Sequence, residues 1–280
     1  MDVSQKKSDE QAALWNGSAG QAWVEQQSTL DQMFKPFEDL LVEVAGSKPR
    51  AHVLDVGCGT GATTLALKKR LGAECQCTGV DISEPMLARA RATAERDGIE
   101  VNFLRADAEF HAFERGSFDL IVSRFGVMFF QDSVRALANL RHAAQDGAEL
   151  CLLVWRGPSE NPFMTAAEHA AAAILPNIPA RQPDVPGQFG FADSTRVARF
   201  LEQSGWSDID IRPLDVACTF PEKDMLGYAT HLGPLSRILR EVDDQTKRQV
   251  LAAVRTAFDP YVHGATVRFG AACWRINARA

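Results

Sequence analysis

The stretch Val53-Leu54-Asp55-Val56-Gly57-Cys58-Gly59-Thr60-Gly61 decides the fold. Its apolar first half predicts a short buried strand. Glycine at every second position of the second half predicts a turn whose backbone can approach a ligand closely. Helical spacing follows directly over residues 60–71 and ends before Gly72, a natural helix terminator. A strand that turns through glycines into a helix opens a sheet whose ligands bind at the carboxyl ends of its strands.

Short apolar runs and helical stretches alternate after this first unit. Such alternation predicts right-handed βαβ units, a parallel sheet and the α/β class. The predicted strands downstream lie at residues 76–80, 101–106, 118–123, 149–155, 208–212, 215–220 and 266–276. The main predicted helices lie at residues 84–97, 132–144 and 194–204.

The two ends of the alternating region have a different character. Residues 1–48 have helical spacing and are predicted to form an amino-terminal cap of two helices, with Pro36 opening or kinking the second. Residues 49–280 are predicted to form the main domain. Within it, the proline-rich residues 157–192 and the helical residues 221–264 interrupt the pattern, and we expect both to be lid or substrate insertions.

Composition excludes several classes of function. A formal net charge of −6 disfavours a phosphate-binding surface, so no nucleic-acid partner is expected. Neither a signal peptide nor an apolar run long enough to cross a membrane is recognisable, which favours a cytoplasmic location. Cys75 and Cys77 lack a second Cys or His cluster at matching spacing, so no metal site is expected. The oligomeric state is left open, with a homodimer as one option.

Two acids follow the next two predicted strands. Asp81 ends the second strand about twenty residues after Gly61, where a carboxylate can accept both hydroxyls of a ribose. Asp107 ends the third strand, where a carboxylate can receive the amino group of an adenine. The glycine spacing is G-x-G-x-G, whereas nicotinamide-binding turns usually have G-x-G-x-x-G. The acids and the spacing together favour an adenosine-containing ligand other than a nicotinamide dinucleotide.

These segments resemble the class I S-adenosylmethionine-dependent methyltransferases, and within that class the branch related to ubiquinone/menaquinone-biosynthesis methyltransferases. The resemblance covers residues 50–156 well and the whole chain more loosely. It rests on residues 53–61, Gly79-Val80-Asp81-Ile82-Ser83, Met86-Leu87, Ala106-Asp107-Ala108 and Ser123-Arg124-Phe125-Gly126-Val127-Met128-Phe129-Phe130.

The resemblance implies a Rossmann-like, doubly wound and mostly parallel seven-stranded sheet with a helical amino-terminal cap and an inserted lid. It implies transfer of a methyl group from S-adenosylmethionine to an O, N or C atom of a small molecule, leaving S-adenosylhomocysteine. Two alternatives stay open at this point. One is a protein that senses S-adenosylmethionine without turning it over, and the other is an NAD-dependent oxidoreductase.

The resemblance also implies a set of cofactor-binding residues. The glycine loop would lie along the amino-acid part of the cofactor, and Asp55 would lie beneath the loop. Asp81 would hold the ribose, and Asp107 with Ala108 would meet the adenine edge. The full set is Asp55, Gly57, Cys58, Gly59, Thr60, Gly61, Asp81, Ile82, Met86, Asp107, Ala108 and Ser123.

Motifs that are missing from the sequence restrict the class of methyl acceptor. Ser123 and its successors stand where nucleic-acid amino-methyltransferases carry Asn- or Asp-Pro-Pro-aromatic, and the paired glutamates of protein arginine methyltransferases are not recognisable. We therefore expect a small, partly apolar acceptor. The candidate acceptor-binding residues are Trp15, Trp23, Arg124, Phe125 and Trp155. His231 is the candidate general base, since an acceptor that must lose a proton needs one.

Overall fold

The computed structural model describes residues 3–175, 178, 185–233 and 235–280. Within these residues the strands are β1 (His52–Val56), β2 (Gln76–Asp81), β3 (Asn102–Arg105), β4 (Phe118–Arg124), β5 (Ala144–Trp155), β6 (Ser207–Pro221), β7 (Val262–His263) and β8 (Thr266–Arg279). The helices are α1 (Val3–Asn16), α2 (Ser18–Glu25), α3 (Gln27–Ala45), α4 (Ala62–Leu71), α5 (Glu84–Asp97), α6 (Ser133–Ala143), α7 (Pro162–Ala172), α8 (Ser194–Gln203), α9 (Met225–His231), α10 (Leu235–Ile238) and α11 (Asp244–Ala257).

All of these strands belong to one sheet, in the order β3-β2-β1-β4-β5-β8-β6, with β7 paired to β8. The first five strands pair in parallel, and β8 runs antiparallel to both β5 and β6. The predicted doubly wound, mostly parallel sheet is therefore confirmed. Seven strands form the predicted path, and the two-residue β7 is an eighth that the sequence analysis did not include.

Two details differ from the sequence-based expectation. The predicted strands at 208–212 and 215–220 are one strand, β6, in which Pro213 pairs with Trp274 of β8. Because β6 lies at the edge of the sheet, the missing N–H of Pro213 removes no ladder bond on a second side. The cap has three helices instead of two, since the chain breaks at Gly17 and again at Gln26, and Pro36 lies inside α3 instead of opening a helix.

Helix α3 is the part of the cap that joins the main core. Its buried side chains recur three or four residues apart, which places them on one face of the helix, and this face packs beside α4 and against β6. The large apolar ones among them are Leu30, Met33, Phe34, Phe37 and Leu41. The sheet beneath them is apolar on both faces in β5, where residues 150–155 are all buried.

A group of aromatic rings extends the core where the β6–β8 pair continues beyond the end of β5. The β5 ladder stops at Trp155 opposite Cys273, while β6 and β8 stay paired as far as Pro221 and Thr266. Phe163 of α7 stacks on Phe269 there. It also contacts aromatic rings from α9 and from the end of α11, namely Tyr228, Phe258 and Tyr261. The predicted insertion at 221–264 therefore packs through aromatic rings on α7 and on β8.

Part of the other predicted insertion lies outside the described residues, at 176–177 and 179–184. The division into a cap at 1–48 and a main domain at 49–280 stays a prediction. None of the described helices combines the length and the apolar character that a membrane crossing requires.

Candidate cofactor site

The glycine loop has a backbone that only glycine adopts easily. Gly57, Gly59 and Gly61 have φ angles of 70°, 55° and 84°, all in the left-handed region. A Cβ at Gly57 would lie 2.6 Å from the Cα of Gly126, and one at Gly61 would lie 2.8 Å from the Cβ of Ala90. The first and third glycines are therefore required by close packing.

The middle glycine has a different environment. A Cβ at Gly59 would meet only the Sδ of Met86, at 3.7 Å. Within the part of the chain that the structure describes, no backbone beyond the loop itself lies within 4 Å of that position. Cys58 and Thr60 flank Gly59 and are both buried, so the loop presents main chain instead of side chains at this point.

Asp81 ties the end of β2 to the glycine loop. Its Oδ2 accepts a hydrogen bond of 2.8 Å from the Gly59 amide, and its Oδ1 accepts one of 2.8 Å from the Ser83 amide. Burial raises the pKa of this carboxyl, while the amides that point at it act in the opposite direction. A carboxylate has about four lone-pair sites, so capacity for a ligand remains beside the amides of Gly59, Ser83 and Ile82.

Asp55 connects β1 to the helix that follows the glycine loop. It is buried in β1, and its Oδ2 accepts a 2.7 Å hydrogen bond from the Thr64 hydroxyl of α4. Burial raises the pKa of this carboxyl to about 6, against the opposing effect of the Thr64 bond. Asp55 therefore fixes α4, and with it the end of the loop, against the first strand.

Ser123 joins β4 to the same loop. Its hydroxyl donates to the Val56 carbonyl at 2.7 Å and accepts from the Gly126 amide at 3.2 Å. This buried hydroxyl holds the segment after β4 close to Gly57. The hydroxyl of Ser123 therefore has a structural role. The contact of its backbone with a cofactor stays a prediction.

The segment that carries Asp107 is connected to the end of β2 through the backbone. The Ala106 amide donates to the Asp81 carbonyl at 3.0 Å, so the segment that carries Asp107 and Ala108 lies beside the end of β2. Asp107 accepts from the Glu109 amide at 2.9 Å. Asn139 of α6 donates to the Ala108 carbonyl at 2.9 Å and fixes the loop from below. The structure thus brings together the acids that the sequence analysis assigned to one ligand.

Comparison with known proteins agrees with this geometry. A family model described as a methyltransferase domain matches residues 53–147. The demethylmenaquinone methyltransferase of Thermus thermophilus is 40% identical over 150 residues, which are 53% of this chain and 66% of that protein. Residues 53–147 are therefore similar to the S-adenosylmethionine-dependent methyltransferases, and this similarity points to S-adenosylmethionine as the ligand of the site.

Two further similarities extend over most of the chain. The nocamycin O-methyltransferase of Saccharothrix syringae is 29% identical over 238 residues, which are 79% of this chain and 82% of that protein. A crystal structure of a methyltransferase from Bacillus halodurans superposes with a TM-score of 0.56 at 18% identity, covering 86% of this chain and 97% of the other. The second similarity concerns the fold alone. The chain spans just under two thirds of the Thermus relative.

The residues present fit S-adenosylmethionine. The space over Gly59 is open within the described residues, and Asp81 keeps lone-pair capacity for a ribose. Ile82 follows Asp81, and Met86 lies in the first turn of α5. Arg124, the last residue of β4, adds a hydrogen-bond donor at the carboxyl end of the sheet. Its Nη1 is buried and has no hydrogen-bond partner within the described residues. A carboxylate would satisfy such a nitrogen.

Arg124 lies among charges that the sequence analysis did not single out. Its guanidinium lies 5.8 Å from the centre of the Phe34 ring. Burial raises the pKa of both Asp31 and Glu38 on α3, and the positive charge of Arg124 acts against that rise. These acids line an open cavity of about 500 Å³ that Ala62, the residue after Gly61, also lines. Sequence reasoning missed both acids because only the packing of α3 brings them to this edge.

Two candidate acceptor residues pack against each other. Phe125 and Trp155 are both buried, and their rings are stacked with Phe34 and Phe37 around them. The remaining candidates, Trp15 and Trp23, are half-buried in the cap, with ring centroids 6.2 Å apart. A role in acceptor binding stays a prediction for all four.

His231 is the last residue of α9 and is exposed. Its Nδ1 lies 3.0 Å from the Gly227 carbonyl, and a neutral ring that donates there keeps Nε2 as its basic nitrogen. The Cβ direction of Gly227 points at the Gln26 side chain, at 3.3 Å, so α9 lies over the junction of α2 and α3. The role of His231 as a general base stays a prediction.

Proposed function

We propose that this chain transfers the methyl group of S-adenosylmethionine to a small molecule. The observation that carries the proposal is the bond between Asp81 and the Gly59 amide, which sets a ribose-binding carboxylate against an open glycine loop. The family match covers this same part of the chain. The acids at the ends of β2 and β3 favour an adenosine ligand over a nicotinamide dinucleotide.

Each part of the site has a distinct task in this reaction. When bound, the cofactor supplies a methyl carbon that is already activated, so the protein has mainly to align the acceptor and to exclude water. The glycine loop admits the amino-acid part of the cofactor, Asp81 holds the ribose hydroxyls, and Asp107 receives the adenine amino group. We assign the free Nη1 of Arg124 to an acidic group, either the cofactor carboxylate or an acid on the acceptor.

The acceptor would enter between α3, the start of α4 and β6. The open cavity there begins one residue after the glycine loop and is lined by Asp31 and Glu38 as well as by apolar carbon. Two of the relatives are named for demethylmenaquinone and for O-methylation of nocamycin. A small, partly apolar molecule methylated at carbon or oxygen is therefore the acceptor class that we propose, with a demethylated quinone as the first compound to test.

The test combines binding and turnover. Calorimetry should give tight binding of S-adenosylhomocysteine and none of NAD, and Asp81→Asn should lose that binding. Asp146→Asn is the matched control, because Asp146 is fully exposed at the start of β5. Radiolabelled S-adenosylmethionine incubated with demethylmenaquinone, and separately with a metabolite extract, should then give a labelled product.

Three outcomes separate the alternatives. Labelled product would support the proposed transferase. Tight cofactor binding with no product from either source would instead favour a sensor of S-adenosylmethionine. Binding of NAD without S-adenosylhomocysteine would favour an oxidoreductase and overturn the proposal.

A further inference from the structure

The corner between α1 and α2, residues 15–20, is hydrogen-bonded to the chain on both sides of Ser83. The Asn16 side chain donates from Nδ2 to the Ile82 carbonyl at 3.0 Å and accepts at Oδ1 from the Glu84 amide at 2.9 Å. A single amide group thus forms two bonds to the segment that connects β2 to α5. Both functional ends of Asn16 are used, so no other residue type satisfies the arrangement as well.

A second set of contacts connects the same corner to Asp81. The Ser83 hydroxyl donates to the Trp15 carbonyl at 2.7 Å, and the Ser83 amide donates to Asp81, which in turn accepts from Gly59. A chain of hydrogen bonds therefore runs from the cap, through the candidate ribose-binding carboxylate, to the glycine loop. A shift of the corner changes the position of the groups that would hold the cofactor.

The contacts of Trp15 show how the corner between α1 and α2 lies relative to the strands. Its carbonyl is bonded at the end of β2, while its ring meets the edge of Phe129, after β4, with centroids 5.1 Å apart. Strand β1 lies between β2 and β4 in the sheet. The corner therefore extends across the carboxyl end of β1, which is where the glycine loop begins.

The approach of the corner to Ser83 is unusually close. A Cβ at Gly20 of α2 would overlap the Trp15 carbonyl oxygen and would lie 2.7 Å from the Ser83 hydroxyl oxygen. Gly20 is buried, so such an atom could not turn out into solvent. The glycine thus permits the contact that lets the corner sit on the β2–α5 connection.

We propose that residues 15–20 form a strap that closes over the adenosine end of the bound cofactor, and that Asn16 is the positioning residue that fastens it. The inference rests on the proposed cofactor site. The strap has to release for the cofactor to enter or leave, because it crosses the loop on which the cofactor would lie. Once closed, it holds Ile82 and Asp81 in place and slows release of the cofactor.

The experiment measures binding of S-adenosylhomocysteine by calorimetry and its release by stopped flow. We expect Asn16→Ala to raise both the dissociation constant and the release rate about tenfold, with a nearly unchanged association rate. Gln21→Ala is the control, since Gln21 is exposed on the next helix of the cap. Asn16→Asp keeps an acceptor for the Glu84 amide but has no proton at neutral pH for the Ile82 carbonyl, and we expect the same direction of change.

Hydrogen exchange distinguishes a loss of the Asn16 contacts from a general loss of protein stability. In the natural protein, S-adenosylhomocysteine should slow exchange of the Glu84 amide and of amides in residues 15–25. In Asn16→Ala this protection should be lost, while the melting temperature without ligand falls no more than in Gln21→Ala.

Unchanged release and protection in both Asn16 variants would overturn the strap. A faster association with unchanged release would also overturn it, because the corner would then only obstruct the site. Failure of the natural protein to bind S-adenosylhomocysteine would instead remove the proposed function and the strap together.

Discussion

Phe125 stacks on Trp155 with ring centroids 4.3 Å apart and ring planes 8° from parallel. Phe125 also has a φ angle of 65°, a conformation that costs a residue with a Cβ about 1–2 kcal/mol. Its amide nevertheless donates to the Leu153 carbonyl at 2.9 Å, and its ring meets the edge of Phe37. The aromatic packing therefore holds a strained backbone immediately after β4, next to Arg124 and the glycine loop.

The strain at Phe125 predicts an unusual order of stability between two substitutions. Phe125→Ala removes the ring and keeps the strain, so we expect the free energy of unfolding to fall by about 3–5 kcal/mol. Phe125→Gly removes the same ring but also relieves the strain, so we expect it to be at least as stable as the alanine variant. At an ordinary backbone position the glycine variant would be the weaker one. Urea unfolding of both variants decides this, and a glycine variant less stable by 1 kcal/mol or more would contradict the interpretation.

The cofactor half of the site could be predicted from the sequence because its signals are local. Gly57 to Gly61 need left-handed backbone angles, and Asp81 and Asp107 stand where predicted strands end. Parallel strands bring their carboxyl ends to one edge, so the sheet itself assembles these residues. The fold class followed from the same alternation of strands and helices.

The residues beside the proposed acceptor cavity, and those that support the cofactor site from distant parts of the chain, could not be predicted in the same way. Asp31 and Glu38 look like solvent-facing residues of an amphipathic helix, and only the packing of α3 over the sheet places them near Arg124. Nothing in the sequence around Asn16 predicts its role, because its two hydrogen-bond partners lie 66 and 68 residues away along the chain. Glu109 had a weak signal, being the residue directly after Asp107-Ala108.

Asp55 predicts a pH dependence of stability. Its folded pKa is raised from 3.8 to about 6, so the folded protein holds an extra proton between these values. The free energy of unfolding should therefore fall as the pH rises through this range, by roughly 3 kcal/mol from this group alone. In Asp55→Asn the side chain keeps an oxygen for the Thr64 hydroxyl and does not titrate. The stability of the variant relative to the natural protein should thus increase between pH 4 and pH 7 in urea unfolding. A difference that stays constant with pH would contradict the raised pKa.

His231 gives a prediction about the proton of the acceptor. If the acceptor loses its proton to Nε2, His231→Ala should lower kcat about 100-fold at neutral pH and leave the affinity for S-adenosylhomocysteine unchanged. His263→Ala is the control, because His263 is also exposed in the insertion. An unchanged kcat, with a small loss of thermal stability, would assign the ring to capping α9 through the Gly227 carbonyl.

Glu109 connects the adenine side of the site to the segment after β4. Its Oε2 accepts hydrogen bonds from the Gln131 and Asp132 amides at 3.1 and 3.2 Å, and burial raises the pKa of this carboxyl. Glu109→Ala leaves two amides without their acceptor, so we expect a loss of about 1–3 kcal/mol in stability and about tenfold weaker binding of S-adenosylhomocysteine. Glu109→Gln keeps an oxygen for both amides and should bind within about threefold of the natural protein.

The two effects of Glu109 are measured separately, by urea unfolding and by calorimetry. Glu114→Ala provides the comparison, since Glu114 is exposed in the same connection between β3 and β4. If Glu109→Ala lost stability but bound S-adenosylhomocysteine normally, the position of the loop at Asp107 would not depend on Glu109. Weaker binding in the alanine variant, with near-normal binding in the glutamine variant, would instead place the two amide bonds in the chain of contacts that positions the adenine edge. That result is the one we expect, because Glu109 lies two residues from Asp107 and its own amide donates to that carboxylate.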